Sequence, residues 1–347
     1  MSVRPIEPPR PRNSADPATR PTVRDGAGGS EVPEPGSGPP GPGQIGTSWP
    51  SVSPVTEAFF HPETGPAGPS SDGELFQHLV SDESCTGPWS TDTMHGGPPS
   101  ALLVRACERS VAAGSSGIPL TALRACVDFL APIPIGAITV RSRVLRGGRR
   151  VSLAEAVLQA GGRDVLHART WLLRSGDDAL PGGLGSDAVP AEAADAAAAA
   201  VEPSGSSTGT RPSPDSCPPA LTDWAFPYAR AVEWRHVSGD PGGPGDAAAW
   251  ARLRTPLLPG EEPSGLQRAV LVADSGNGLS AALDWGRWTF VNVDLVVHLS
   301  RPLAGDWVLL DARTRYEPGG TGLSTSVLHD ESGVVGTGAQ TLLVSPR

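Results

Sequence analysis

Between positions 291 and 299 the chain alternates. VNVDLVVHL sets Val291, Val293, Leu295, Val297 and Leu299 on one face and Asn292, Asp294, Val296 and His298 on the other. A period of two marks a strand of an antiparallel sheet with one face buried. A further strand is predicted at 306–315 (DWVLLDARTR), then a Gly-rich turn at 318–322 and a hairpin over 323–344. Ahead of these strands lies an apolar helical segment at 264–274 (SGLQRAVLVAD), and an earlier one at 98–113 also precedes a run of strands. One helix followed by antiparallel strands is an α+β layout, with the helix packed on one face of the sheet.

The pattern fails in two places. Residues 1–51 are almost wholly Pro, Gly, Ser, Arg and acids, too poor in apolar surface to offset the entropy of ordering. This segment reads as a disordered tail. Residues 175–219 form an Ala/Pro/Ser-rich linker that includes AEAADAAAAAV (191–201), a candidate short helix. Two domains remain, 52–174 and 220–347. Sliding the first by 170 residues lays Leu153, Val157, Leu158, Val165, Leu172 and Leu173 on Leu323, Val327, Leu328, Val335, Leu342 and Leu343. The same offset sets Pro132 on Pro302, Val127 on Val297 and Arg143 on Arg313. Kept order and spacing of this kind indicate an internal duplication.

Composition narrows the function. All basic residues are Arg, and the net charge of -10 leaves no basic stripe to neutralise phosphates, so nucleic acid is not an expected partner. The start of the chain lacks the apolar run of a signal peptide, and no stretch approaches a membrane span; a cytoplasmic protein without a membrane partner is expected. Cys85, Cys107, Cys126 and Cys217 show no metal-binding spacing and read as buried, inert thiols. A zinc site on Asp294 and His298 would need two more ligands that the sequence does not offer. Neither a metal nor a cofactor is implied. GGPPS is not followed by the Gly-Lys-Ser/Thr of a phosphate loop, and Ser100 lacks the strained elbow of a serine hydrolase.

Three segments carry a resemblance. HGGPPSALLVRA (95–106) heads the first helix, LVADSGNGLS (271–280) ends the second in an acid, and VNVDLVVHLSRP (291–302) pairs with VVGTGAQTLLV (334–344). Together, over about 55–174 and 222–345, they resemble the TesB-like double-hotdog acyl-CoA thioesterases. The resemblance implies a double hotdog: two antiparallel sheets, each wrapping a central helix, joined as an intrachain pseudo-dimer. It implies acyl-CoA as substrate, and unpaired sheet edges make a homodimer of double hotdogs the expected assembly.

Carried over by position, the resemblance makes Asp274 the catalytic acid-bearing residue and Gln340 its glutamine. Asn292 stands where the family has Thr or Ser, so an amide replaces a hydroxyl. An aspartate ordinarily ionised at neutral pH suits a general base for water, and Asn292 and Gln340 would orient that water. A covalent aspartyl intermediate is the variant route. Gly96 and Gly97, with His95 beside them, would let the thioester oxygen approach bare N–H groups at the helix head, where the macrodipole favours negative charge. Two other readings stand beside this one. A hotdog hydratase needs Asp and His five apart, whereas Asp294 and His298 are four apart. A non-catalytic acyl-CoA or lipid-binding protein would use the same fold without turnover.

Overall fold

The computed structural model describes residues 58–63, 68–69, 73–114, 119–174, 211–219, 226–240 and 243–347. The expected tail at 1–51 and the Ala-rich helix at 191–201 lie outside the described residues.

Both expected helices form. In the first half, α1 spans Gly97–Gly114, and every residue from Gly97 to Cys107 is buried, Arg105 included. A helix apolar on nearly all sides must be covered on all sides. Here the sheet covers one flank and the second long helix another. A short helix, α2 (Pro227–Ala231), opens the second half. Next comes the long helix α3 (Gly265–Ala273), whose N-terminus is capped by Ser264 Oγ accepting the Gln267 N–H at 3.2 Å. It ends at Asp274, and one more turn, α4 (Gly276–Leu279), follows.

The strands of the first half are β1 (Phe60–Pro62), β2 (Gly68–Pro69), β3 (Leu75–Ser81), β4 (Thr121–Phe129), β5 (Ala137–Arg146), β6 (Val151–Ala160) and β7 (Arg163–Leu173). Those of the second are β8 (Val232–Ser238), β9 (Ala247–Leu253), β10 (Trp288–Asn292), β11 (Asp294–Leu299), β12 (Val308–Glu317), β13 (Thr321–Asp330) and β14 (Gly333–Pro346). The order within the first half is β3-β5-β6-β7-β4, and within the second β9-β12-β13-β14-β11. The duplication is therefore structural: β6 and β13 start and stop 170 residues apart.

The two expected sheets meet edge to edge. Strands β4 and β11 pair antiparallel, with Val127 opposite Leu295 and Ala125 opposite Val297, so all fourteen strands belong to one continuous sheet. Each half thereby covers an edge that the other would leave open. The helices α1 and α3 pack together against this sheet, and one apolar core runs through both halves, from Leu102, Leu158 and Leu166 to Leu266, Val270 and Leu310.

Two sequence expectations are corrected. The strand at 291–299 is broken. Leu295, Val297 and Leu299 are buried as predicted, but Val293 is 44% exposed and Phe290 is fully buried. Pairing with β14 slips by one residue between Asn292↔Leu342 and Val296↔Ala339, which is a β-bulge. Asp294 Oδ1 stabilises the break by accepting the Thr341 N–H at 2.6 Å. Secondly, residues 211–219, expected as linker, are packed on the second half. Cys217 is buried against Trp250, Trp307 and Leu309, Trp250 Nε1 donates to the Pro212 carbonyl at 3.0 Å, and Arg211 pairs with Asp311.

Candidate active site

The bulge aims a side chain. Because β10 runs one residue out of phase with β11, Asn292 leaves the face expected for it and turns to the end of α3. Its Nδ2 donates to Asp274 Oδ1 at 2.9 Å and also lies 3.3 Å from the Asp294 carbonyl. Asp274 is only 3% exposed, and its other oxygen, Oδ2, lies 3.0 Å from His95 Nδ1. Asp274, Asn292 and His95, separated by up to 197 positions in sequence, thus meet at one carboxylate.

Gln340 stands elsewhere than expected. It is 2% exposed, and its Nε2 donates to the Asp274 carbonyl at 3.0 Å, while its Oε1 accepts the Asn277 N–H at 3.1 Å. One hydrogen of Nε2 and one lone pair of Oε1 are thus committed to the backbone of the turn after α3, and Gln340 staples Asp274 in place. Gly276 leaves room for this staple, since a Cβ there would lie 3.0 Å from Gln340 Oε1.

The head of α1 faces the carboxylate. The preceding loop is anchored by Met94 N–H to the Ile133 carbonyl (2.8 Å) and His95 N–H to the Cys85 carbonyl (2.7 Å). A Cβ on Gly96 would sit 2.6 Å from the Phe129 ring and 2.9 Å from Asp274 Oδ2; one on Gly97 would sit 2.4 Å from the Leu271 carbonyl oxygen. Both glycines therefore serve a close approach of α1 to α3. A helix start leaves its first N–H groups without intrahelical partners. Pro98 and Pro99 have none to offer, and Ser100 N–H bonds to the Gly96 carbonyl at 3.1 Å. The Gly97 N–H donates to His95 Nδ1 at 3.1 Å.

The His95 ring is held by stacking on Tyr228, with centroids 3.7 Å apart and planes within 8°. Tyr228, fully buried, donates its one hydroxyl hydrogen to the Leu271 carbonyl (2.9 Å) or Ser275 Oγ (3.0 Å). Burial first, and then the Asp274 charge, push the phenol well above its usual range against the opposing Ser275 bond, so it stays neutral. Sequence reasoning missed Tyr228; as one of only two tyrosines, directly before the second half's first strand, it offered a signal of rarity and nothing more.

His95, Gly96, Asp274 and Asn292 floor a cavity of about 400 Å³ with walls that include Met94, Phe129, Ile133 and Phe226. Its side is closed by Trp89 and Trp285, stacked at 5.0 Å and 20° across the two halves, with Phe290 edge-on behind both. Among the described residues lining it, His95 and Asp274 are the titratable ones. An apolar slot with a few convergent polar groups is the usual form of a small-molecule site.

The duplication supplies a second cavity of about 390 Å³ where α1 passes the head of α3. At the 170-residue offset Ala122 stands for Asn292 and Thr170 for Gln340. Its carboxylate is Glu108, which accepts Ser264 Oγ–H at 2.7 Å and a hydrogen of Gln267 Nε2. Burial raises Glu108 above the ordinary carboxylate range, opposed by those two bonds and by Arg105. The carboxylate is engaged on both oxygens, and among the described residues lining this cavity there is no amide from the sheet and no imidazole. The two cavities share a frame and differ in chemistry. Among the described residues no three His, Cys, Asp or Glu side chains gather as a metal site would require, and no helix is long and apolar enough to cross a membrane.

Comparison with known proteins agrees with this division. Residues 85–173 match the family described as acyl-CoA thioesterase N-terminal domain, and residues 212–344 match the acyl-CoA thioesterase C-terminal domain. A conserved protein with the hot dog fold from Alicyclobacillus acidocaldarius superposes with a TM-score of 0.56 at 14% identity, covering 80% of this chain and 95% of that one. The tesB protein of Mycobacterium avium subs paratuberculosis gives 0.55 at 16%, covering 78% and 93%. The acyl-CoA thioesterase II TesB2 of Mycobacterium marinum gives 0.52 at 13%, covering 78% and 93%. At these identities the likeness carries the fold. No curated protein sequence matches the chain.

Proposed function

Since the chain belongs, by both of its halves, to the acyl-CoA thioesterase family and is a thioester hydrolase of the double-hotdog fold, we propose that it hydrolyses acyl-CoA with water activated by Asp274. The observation that carries the reading is the buried Asp274 carboxylate, addressed by Asn292 on one oxygen and His95 on the other, at the floor of an apolar cavity. A carboxylate has about four acceptor positions; these two contacts fix its orientation and leave room for a water.

In the proposed reaction the acyl group lies among the apolar walls with its carbonyl at the head of α1. Asp274 takes a proton from water as the water oxygen bonds to the thioester carbon. The carbonyl oxygen gains the electron pair at the Gly96–Gly97 head of α1, helped by the positive end of the helix. When the carbonyl re-forms, the C–S bond breaks, and the proton held by Asp274 leaves with the CoA sulfur. The products are a free acid and CoA. Gln340 holds the backbone on which this geometry depends, and Asn292, though it lacks a hydroxyl, supplies the hydrogen bond that orients the base.

The test is release of free thiol from a panel of acyl-CoAs of graded chain length, with wild type and Asp274→Ala. Wild type turns over at least one member, and Asp274→Ala loses on the order of 10²–10⁴ in kcat, the usual contribution of a positioned base. Absence of turnover with every chain length, or full activity in Asp274→Ala, overturns the proposal; tight binding without turnover would instead mark an acyl-CoA binder.

A further inference from the structure

The two cavities differ at the rim as well as at the floor. The bond from the Arg174 N–H to the Arg150 carbonyl (2.8 Å) recurs 170 residues on, from the Val344 N–H to the Gly320 carbonyl (2.9 Å). In the catalytic half these positions hold a glycine and a valine that is buried with Phe290. In the other half they hold two arginines. Ser152 pairs with Leu172, and the same register sets Arg150 directly opposite Arg174. Alternate residues of a strand share a face, so both guanidinium arms leave the sheet on the side of Ser152 and Leu172, which are buried. Like charges directly opposite each other are destabilising. On the neighbouring strand β5, Arg141 meets Asp164 and Arg143 meets Glu155. Among the described residues Arg150 and Arg174 meet no acid, in a chain whose net charge is -10.

This unneutralised pair stands at the second cavity. Leu172 lines that cavity, and Arg174 follows it on the same face by two residues, about 7 Å along a strand. Leu120 and Thr121, whose strand flanks β7 on its other side, line it too. Inside, Val111, Leu120, Leu172 and Leu266 form an apolar chamber. Glu108 spends both oxygens on Ser264 and Gln267, so an anion finds its donors at the rim and an apolar chain finds its cover within. We propose that the second cavity binds a free carboxylic acid, tail inward, with its carboxylate bridging Arg150 and Arg174. The guanidinium fork suits a carboxylate, and the bound anion removes the repulsion between the two cations. The choice of an acid rests on the proposed function, since a free acid is what the first cavity releases. In acyl-CoA the pantetheine arm separates the phosphates from the acyl chain, whereas these arginines stand one strand step from the apolar lining.

Calorimetric titration of the full-length protein with decanoate tests the site. Two variants address it separately. Arg150→Gln with Arg174→Gln removes the charges, and Ala112→Phe, at an exposed lining position near the end of α1, narrows the cavity. Decanoate affinity should fall on the order of tenfold or more in each, the worth of one charge-assisted hydrogen bond. Decanol, with the same tail and no charge, should bind wild type more weakly by the same order. No decanoate binding in wild type, or an affinity that either variant leaves unmoved, overturns the proposal. Acyl-CoA affinity that falls in the arginine variant while decanoate affinity holds would assign the pair to phosphate and overturns it too. Both variants should release thiol from acyl-CoA like wild type, since neither touches the first cavity. Absence of turnover with the decanoate response intact sinks the assignment of Asp274 and leaves the acid site; turnover without that response sinks only the acid site.

Discussion

Gly96 and Gly97 look interchangeable in sequence, and their surroundings differ. A methyl on Gly97 would run into the Leu271 carbonyl, backbone that can yield only if α1 moves off α3. A methyl on Gly96 would meet the edge of the Phe129 ring, which can swing, and the oxygen of Asp274, which the reaction needs. Gly97→Ala should therefore lower the urea midpoint by an amount worth about 1–3 kcal/mol, typical of overpacking. Gly96→Ala should leave the midpoint nearly unchanged while lowering kcat, on paired denaturation and thiol-release measurements. The sequence names Asp274, Asn292, His95 and both glycines as one site only through the segments that resemble the thioesterase family. The resemblance names Gln340 but not its bonds to the backbone after α3, which depend on how the sheet meets the helix end. Tyr228 is illegible for a related reason: its partner across the stack belongs to the other half.

At the scale of the element, the broken strand shows where a regular pattern misleads. VNVDLVVHL alternates without a flaw, and a one-residue bulge is invisible until its partner strand is known. The packed end of the linker was hidden differently. Pro212, Cys217 and their neighbours have loop composition, and only the Trp250 and Trp307 indoles on the sheet give them a surface to cover. On this face His329, near the end of β13, is 8% exposed with no partner for Nε2. Burial first, and the Arg211 charge second, hold it down to about 4 against an ordinary 6.5, with Asp330 opposing. Between those values the unfolded chain binds a proton that the folded chain refuses, so stability is full above about 6.5 and is lost as pH falls toward 4. The full loss is on the order of 3 kcal/mol. Denaturation midpoints at pH 7 and 4.5 should diverge in wild type, and the His329→Gln variant should show a smaller difference.

The whole molecule is a duplication whose halves have parted. Strands β6 and β13 keep the 170-residue offset while the helices do not: α1 has 18 residues, whereas α3 has nine and then breaks at Asp274 into a turn. That break lets a carboxylate and a glutamine staple occupy the end of α3, and α1, continuing unbroken, buries Glu108 against Ser264 and Gln267. The repeat, the α+β layout and the cradled helices were legible, since they rest on periodicity and spacing. The inequality of the two cavities was not, because it depends on which side chains cross between halves. One equivalent of acyl-CoA should bind per chain of Asp274→Asn in calorimetric titration, and two would mean that the Glu108 cavity also takes substrate. The central claim, one working carboxylate in a two-fold frame, is tested most directly by kcat for thiol release with Asp274→Asn and Glu108→Gln side by side on the best substrate. The account predicts that Asp274→Asn falls on the order of 10² or more and that Glu108→Gln turns over like wild type. Loss of turnover in Glu108→Gln with Asp274→Asn intact would contradict it.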